Sequence, residues 1–184
     1  MMRVFTALVP SPEAIDHLDA FLEPRRAAAG FRWTRPEQLH LTLAFMASAS
    51  EARIDDYVER LAESLDDLTP APARLAGAVV FPNVAEGRVL AVGVTGAAPL
   101  ASLAVRARNA AVASGIEVDG QRFRPHVTVA RTGGRPTELT SWVRLLETYE
   151  GPEWAVGSVA VMASHLGEGP RRSPRYETLA EILL

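Results

Sequence analysis

HLTLAFM at residues 40–46 and HVTVAR at residues 126–131 decide the reading of this chain. Each opens with histidine, places threonine two residues later and sets aliphatic residues between and after them. Alternation with period two marks a half-buried β-strand, because successive side chains point to opposite faces. His40 and Thr42 therefore share one face, and Leu41, Leu43 and Phe45 share the other. His126 and Thr128 stand in the same way against Val127 and Val129. Imidazole and hydroxyl lie roughly 6–7 Å apart along such a strand, close enough to touch one phosphate. A lone histidine in a strand reads as an ordinary solvated or satisfied residue. Two of the chain's four histidines heading the same pattern, H-apolar-T-apolar-A, do not.

The flanking segments read as a mixture of helices and strands. Residues 3–9 form a strand ending at Pro10, and Ser11 with Pro12 opens a helix carrying Ile15, Leu18, Phe21 and Leu22. A short strand over 31–33 and a turn at Arg35-Pro36 lead into the first motif. Ser50 caps a second helix whose stripe is Ile54, Tyr57, Val58, Leu61, Leu65 and Leu68, closed by Pro70 and Pro72. Strands over 73–81 and 88–94 follow, then a helix over 98–114 carrying Leu100, Leu103 and Val112 and stopping at Gly115. After the second motif come a helix over about 137–149 and strands over 153–163 and 175–183. Each half thus reads helix, motif strand, helix, two strands. That order implies an internal duplication, with one domain over 1–184 made of two lobes. A pseudo-two-fold axis would set the motifs at 40–43 and 126–129 facing each other across a cleft.

Composition bounds the function. The chain has 184 residues, 48% hydrophobic and 22% charged, which suits one globular domain. Cysteine is absent, which removes disulfides, zinc–thiolate sites and thiol nucleophiles and fits a cytoplasmic protein. No apolar run approaches the roughly 18 residues of a membrane span, and the N-terminus reads as a strand rather than a signal peptide. A net charge of −3 argues against a surface coated for non-specific nucleic-acid binding. All 19 basic residues are arginine. They cluster at Arg32 and Arg35, at Arg122, Arg124 and Arg131, and at Arg171, Arg172 and Arg175, where they could meet phosphates locally.

The doubled motif suits phosphodiester chemistry. Opening a cyclic phosphate requires a water deprotonated on one side of phosphorus and a ribose oxygen protonated on the other. Imidazole, with an ordinary pKa near 6.5, can take either part near neutral pH. The threonine hydroxyls can donate to the non-bridging oxygens. No metal or other cofactor is called for, since neither motif histidine has a carboxylate or second histidine at ligand spacing. Gly133-Gly134 lacks the spacing and following lysine of a phosphate loop. Arg131 is a candidate contact to substrate phosphate, the alternative being a surface ion pair. Phe45, Phe5 and Trp33 could stack on a base or lie in the core. His17 and His165 stand outside the motifs.

QLHLTLAF at 38–45 and RPHVTVAR at 124–131 resemble the paired signatures of the two-histidine (2H) phosphoesterases. The branch most similar is the RNA 2′,3′-cyclic phosphodiesterases, also called LigT-like or 2′-5′ RNA ligase proteins. The resemblance spans nearly the whole chain, through Trp33, the Phe81 strand end and the stretch from Gly169-Pro170 to Tyr176. It implies a bilobal α+β fold, two lobes of antiparallel-rich sheet with helices outside and the active cleft between them. It implies hydrolysis of RNA 2′,3′-cyclic ends, or of small cyclic nucleotides, to 2′-phosphomonoesters, with weak reverse joining. His40 then resembles the proton donor and His126 the proton acceptor, with Thr42 and Thr128 as phosphate ligands. The chain is expected to act as a monomer without an obligate protein partner or membrane. Alternatives are a non-catalytic AMP-binding module, or a relative acting on ADP-ribose 1″,2″-cyclic phosphate or 2′-5′ oligoadenylate.

Overall fold

In the computed structural model of the chain, residues 1–184 are described throughout, the side chain of Arg171 excepted. The chain runs β1 (Met2–Leu8), α1 (Pro12–Leu22), β2 (Arg32–Trp33), β3 (Leu41–Ala49), α2 (Glu51–Leu65), β4 (Ala71–Phe81) and β5 (Val89–Gly96). It continues α3 (Leu100–Ala113), β6 (His126–Arg131), α4 (Thr140–Leu146), β7 (Glu150–Val156), β8 (Ser158–His165) and β9 (Arg175–Leu183). The strands form one sheet in the order β7-β4-β5-β6-β3-β1-β8-β9, with β2 paired to β6. Every pairing is antiparallel. The two motif strands β3 and β6 are neighbours at its centre, paired at Leu41 and Val127. The fold is α+β.

The sheet curls, and the chain's path shows why. Only Gly157 separates β7, at one end of the strand order, from β8, next to last at the other. One residue spans at most about 3.6 Å, so the two ends must approach each other. The sequence reading of one strand over 153–163 is corrected here. The period-two run continues through it, but its first part pairs with β4 and its second with β1 and β9.

Helices cover the sheet from outside the motif face. The Ser11 hydroxyl accepts from Ala14 N–H at 3.2 Å and Pro12 fills the first turn of α1, which buries Ala14, Leu18 and Leu22. Ser50 occupies the N-cap of α2, but its side chain makes no capping bond. Ile54, Tyr57, Leu61 and Leu65 of α2 are buried, as the stripe requires. The Tyr57 and Thr6 hydroxyls, both fully buried, hydrogen-bond each other and so tie α2 to β1. In α3 the core face is Leu100, Leu103, Ala104, Ala107, Ala110 and Ala111. Val112 points instead to solvent, 66% exposed, because alanines supply the inner stripe and let α3 lie close to its neighbours. α4 is shorter than the 137–149 expected. Thr137 already bridges to Gly87, and Leu139 N–H donates to Val84 O at 2.9 Å, so that backbone is committed to the β4–β5 loop.

Candidate active site

Leu41 and Val127, the paired residues of β3 and β6, are fully buried. Their neighbours His40, Thr42, His126 and Thr128 are half-buried on the opposite face. Continuing the antiparallel register one residue each way sets His40 across from Thr128 and His126 across from Thr42. The β3–β6 junction thus gathers the four motif residues into a square around the Leu41–Val127 pair, on the face away from the core.

Each ring is held the same way. His40 Nδ1 lies 2.7 Å from Gln38 O, and His126 Nδ1 lies 2.6 Å from Arg124 O. A carbonyl only accepts, so Nδ1 carries the hydrogen and Nε2 is left for chemistry. The environments then differ. His40 is the more deeply enclosed, with Phe5 at 4.8 Å and Tyr176 edge-on at 5.3 Å between ring centroids. Gln38 Nε2 also donates to Pro174 O at 2.7 Å, which ties the approach to β9 against the first motif. His126 is more open and meets Phe81 at 4.8 Å.

Electrostatics push both imidazoles the same way. Burial is the main cause that lowers each pKa below 6.5, opposed by the backbone hydrogen bond. His126 and Arg131 lower His40 further, and Arg124 and Arg131 do so for His126. Burial also raises Tyr176, against the field of Arg131 and Arg3. The site is therefore a cationic, partly dry surface whose histidines favour the neutral form.

Both motif strands are irregular at the same place. Ala7 pairs with Thr42 but Thr6 with Ala44, so Leu43 is an extra residue in the β1–β3 ladder. Ala91 pairs with Thr128 but Leu90 with Ala130, so Val129 is extra in the β5–β6 ladder. A β-bulge of this kind breaks strict alternation. Leu43 with Ala44, and Val129 with Ala130, are consecutive buried residues, and the second of each pair is alanine. Beyond the bulge, Phe45 and Arg131 return to the histidine face, half-buried and exposed respectively. This corrects the reading that puts Phe45 on the core side with Leu41 and Leu43. The Arg3 guanidinium lies over the Phe45 ring at 4.5 Å, and Arg124 lies over Phe81 at 5.5 Å.

Other candidates fall elsewhere. Trp33 pairs with Ala130, a core-side residue, and clusters with Phe31 and Trp142, so it does not join the histidines. Phe5 is buried but forms part of the wall against His40. His17 is hydrogen-bonded to the Tyr149 hydroxyl at 3.1 Å and His165 to Glu177 at 2.9 Å. Arg175 is paired with Glu168 and Glu177, and the Arg171 side chain lies outside the described residues. Among the described residues no group of three or more His, Asp or Glu side chains is arranged to hold a metal ion. Two hollows, about 250 and 410 Å³, lie away from all four motif residues. Gln38, Phe81, Arg124 and Tyr176 lie in the stretches that carry the family resemblance, and Arg124 in an arginine cluster, but the sequence assigns none of them, nor Arg3, a place beside the histidines; the fold does.

The same square occurs in a chain that matches known proteins over most of its length. The family model of the 2′-5′ RNA ligase superfamily matches residues 13–168. The chain belongs to that family. It is 31% identical over 156 residues to an RNA 2′,3′-cyclic phosphodiesterase of Aquifex aeolicus, covering 83% of this chain and 81% of the relative. It is 34% identical over 149 residues to an Aeropyrum pernix protein of the same description, covering 79% and 82%. Among solved structures, a Thermus thermophilus protein superposes with TM-score 0.75 at 30% identity, covering 100% of this chain and 98% of that one. Escherichia coli LigT superposes at 0.74 with 21% identity, covering 100% and 97%, which bears on the fold alone. No helix of this 2′-5′ RNA ligase family member is long and apolar enough to cross a membrane.

Proposed function

We propose that the protein is an RNA 2′,3′-cyclic phosphodiesterase that opens the ring to a 2′-phosphomonoester by two-histidine acid–base catalysis. The observation that carries this is the square of His40, Thr42, His126 and Thr128, with both Nδ1 atoms held by backbone carbonyls. His126, the more open imidazole, takes a proton from the attacking water. His40, walled by Phe5 and Tyr176, donates a proton to the departing ribose 3′-oxygen. Its burial makes the protonated form a stronger donor, and the bound phosphodiester anion favours that form. Thr42 and Thr128 donate to the non-bridging oxygens, Arg131 balances the developing charge, and Phe45 offers a stacking face. The names of the relatives support the substrate class. With an RNA 5′-hydroxyl in place of water, the same groups perform weak 2′-5′ joining. The strand order supports the two-lobe duplication, since each motif strand has three partners in line beyond it. The reading is completed by a cytoplasmic monomer without an obligate protein partner.

The direct test is incubation with a nucleoside 2′,3′-cyclic phosphate in excess chelator, with products separated by chromatography. The expected product is the 2′-monophosphate. A 3′-monophosphate would reverse the departing oxygen, and nucleotide binding without turnover would replace the enzyme with a binding module. The pH profile adds a second check. kcat/KM reports the free enzyme, in which both imidazoles titrate below 6.5. Activity needs one neutral and one protonated ring, so the bell is centred on the acid side of pH 6.5. An alkaline limb bending above that value would contradict the assignment.

A further inference from the structure

Beyond the bulge at Val129, β6 ends in a pairing that does not serve the sheet. Arg131 lies directly opposite Arg32 of β2. Directly opposed residues in an antiparallel ladder point to the same face, and like charges there weaken the pairing. Both side chains are exposed. Among the described residues neither forms a salt bridge, whereas nearby Arg35 pairs with Glu37 at 3.0 Å. Two opposed, unneutralised guanidinium groups are suited to an anion bound between them, since each can grip phosphate oxygens bidentately.

Their location fits a polymer. Arg131 and Thr128 are three residues apart on β6, roughly 10 Å before the bulge shortens the path. The field of Arg131 reaches His40, His126 and Tyr176, and Arg32 stands across from Arg131 on β2, so the pair extends outward from the motif square. A mononucleotide carries one phosphate, and the square with the field of Arg131 accounts for it, which leaves Arg32 without a partner in that complex. A second anion one nucleotide step away exists only when the cyclic end belongs to a chain.

We propose that Arg32, acting with Arg131, forms a second phosphate subsite that binds the internucleotide phosphodiester on the 5′ side of the cyclic end. The proposal rests on the functional reading above and deepens it, naming the residue that grips an RNA end beyond its cyclic phosphate. It is local: the chain as a whole carries −3, so the attraction comes from this pair and its neighbours in the cleft.

The experiment compares kcat/KM on a nucleoside 2′,3′-cyclic phosphate and on a trinucleotide ending in the same cyclic phosphate, for the wild type, Arg32→Ala and Arg32→Gln. The wild type should favour the trinucleotide. Both variants should lose about tenfold on the trinucleotide and less than about twofold on the mononucleotide, as expected for one charged contact to phosphate. The log–log salt dependence for the trinucleotide should become shallower by about 0.7, the value for one phosphate contact on a single strand. Equal losses on both substrates, or none on the trinucleotide, would overturn the subsite while leaving the phosphodiesterase reading intact. A wild type that hydrolyses neither substrate would overturn both.

Discussion

Replacing His40 or His126 with alanine lowers kcat on a nucleoside 2′,3′-cyclic phosphate by about 10²–10⁴-fold, the range general acid–base catalysts contribute. The double variant should fall little below the worse single one. Water activation and leaving-group protonation serve one displacement at one phosphorus, and residues acting as a unit are strongly non-additive. The two positions should differ in rescue. His126 borders a more open part of the site, whereas His40 is enclosed by Phe5 and Tyr176. Added imidazole should therefore restore His126→Ala more than His40→Ala. Circular dichroism and thermal melts of each variant separate lost chemistry from lost structure. Near wild-type turnover by either single variant ends the proposed mechanism.

The motif strands, their polar faces and the two-residue alternation are legible in the sequence because they follow from local periodicity. The bulges are not. HLTLAF and HVTVAR read as unbroken alternation, and only pairing with β1 and β5 shows that Leu43 and Val129 are extra residues. A cue does exist in the shared alanine. Ala44 and Ala130 are the second of two consecutive buried residues. The break at Gly157 is hidden for the same reason: WAVGSVAV keeps one period while its two parts join strands far apart in the sheet order. Tyr176 and the Gln38–Pro174 bond could not be anticipated locally, since Gln38 and Pro174 are separated by 136 positions.

That geometry gives the site its division of labour. The sheet needs only Leu41 and Val127 to join its halves at this point. The residues flanking them on the other face are then free of packing duty, and the bulges turn one further side chain per strand, Phe45 and Arg131, toward them. One half so contributes an aromatic surface and the other a cation beside equivalent His-x-Thr pairs. An asymmetric substrate, with a base on one side and a phosphate chain on the other, calls for such a difference.

Thr42→Val and Thr128→Val should each lower kcat by about 10²–10³-fold, the loss seen when one preorganised donor to a developing oxyanion is removed. Valine keeps the β-branched shape and strand preference of threonine, and both positions are only half-buried, so the fold should tolerate the change. The loss should fall mainly on kcat, because charge on the non-bridging oxygens is better stabilised in the transition state than in the bound substrate. The register also predicts a pattern between sites. Continuing the register from the Leu41–Val127 pair puts His40 nearest Thr128 and His126 nearest Thr42, so Thr128→Val combined with His40→Ala should be less than multiplicative, as neighbours sharing one phosphate couple. Steady-state kinetics on the single and paired variants measure this. Threonine variants that raise KM while sparing kcat would show the hydroxyls to be ground-state binders only, and would shift the burden of charge stabilisation to Arg131.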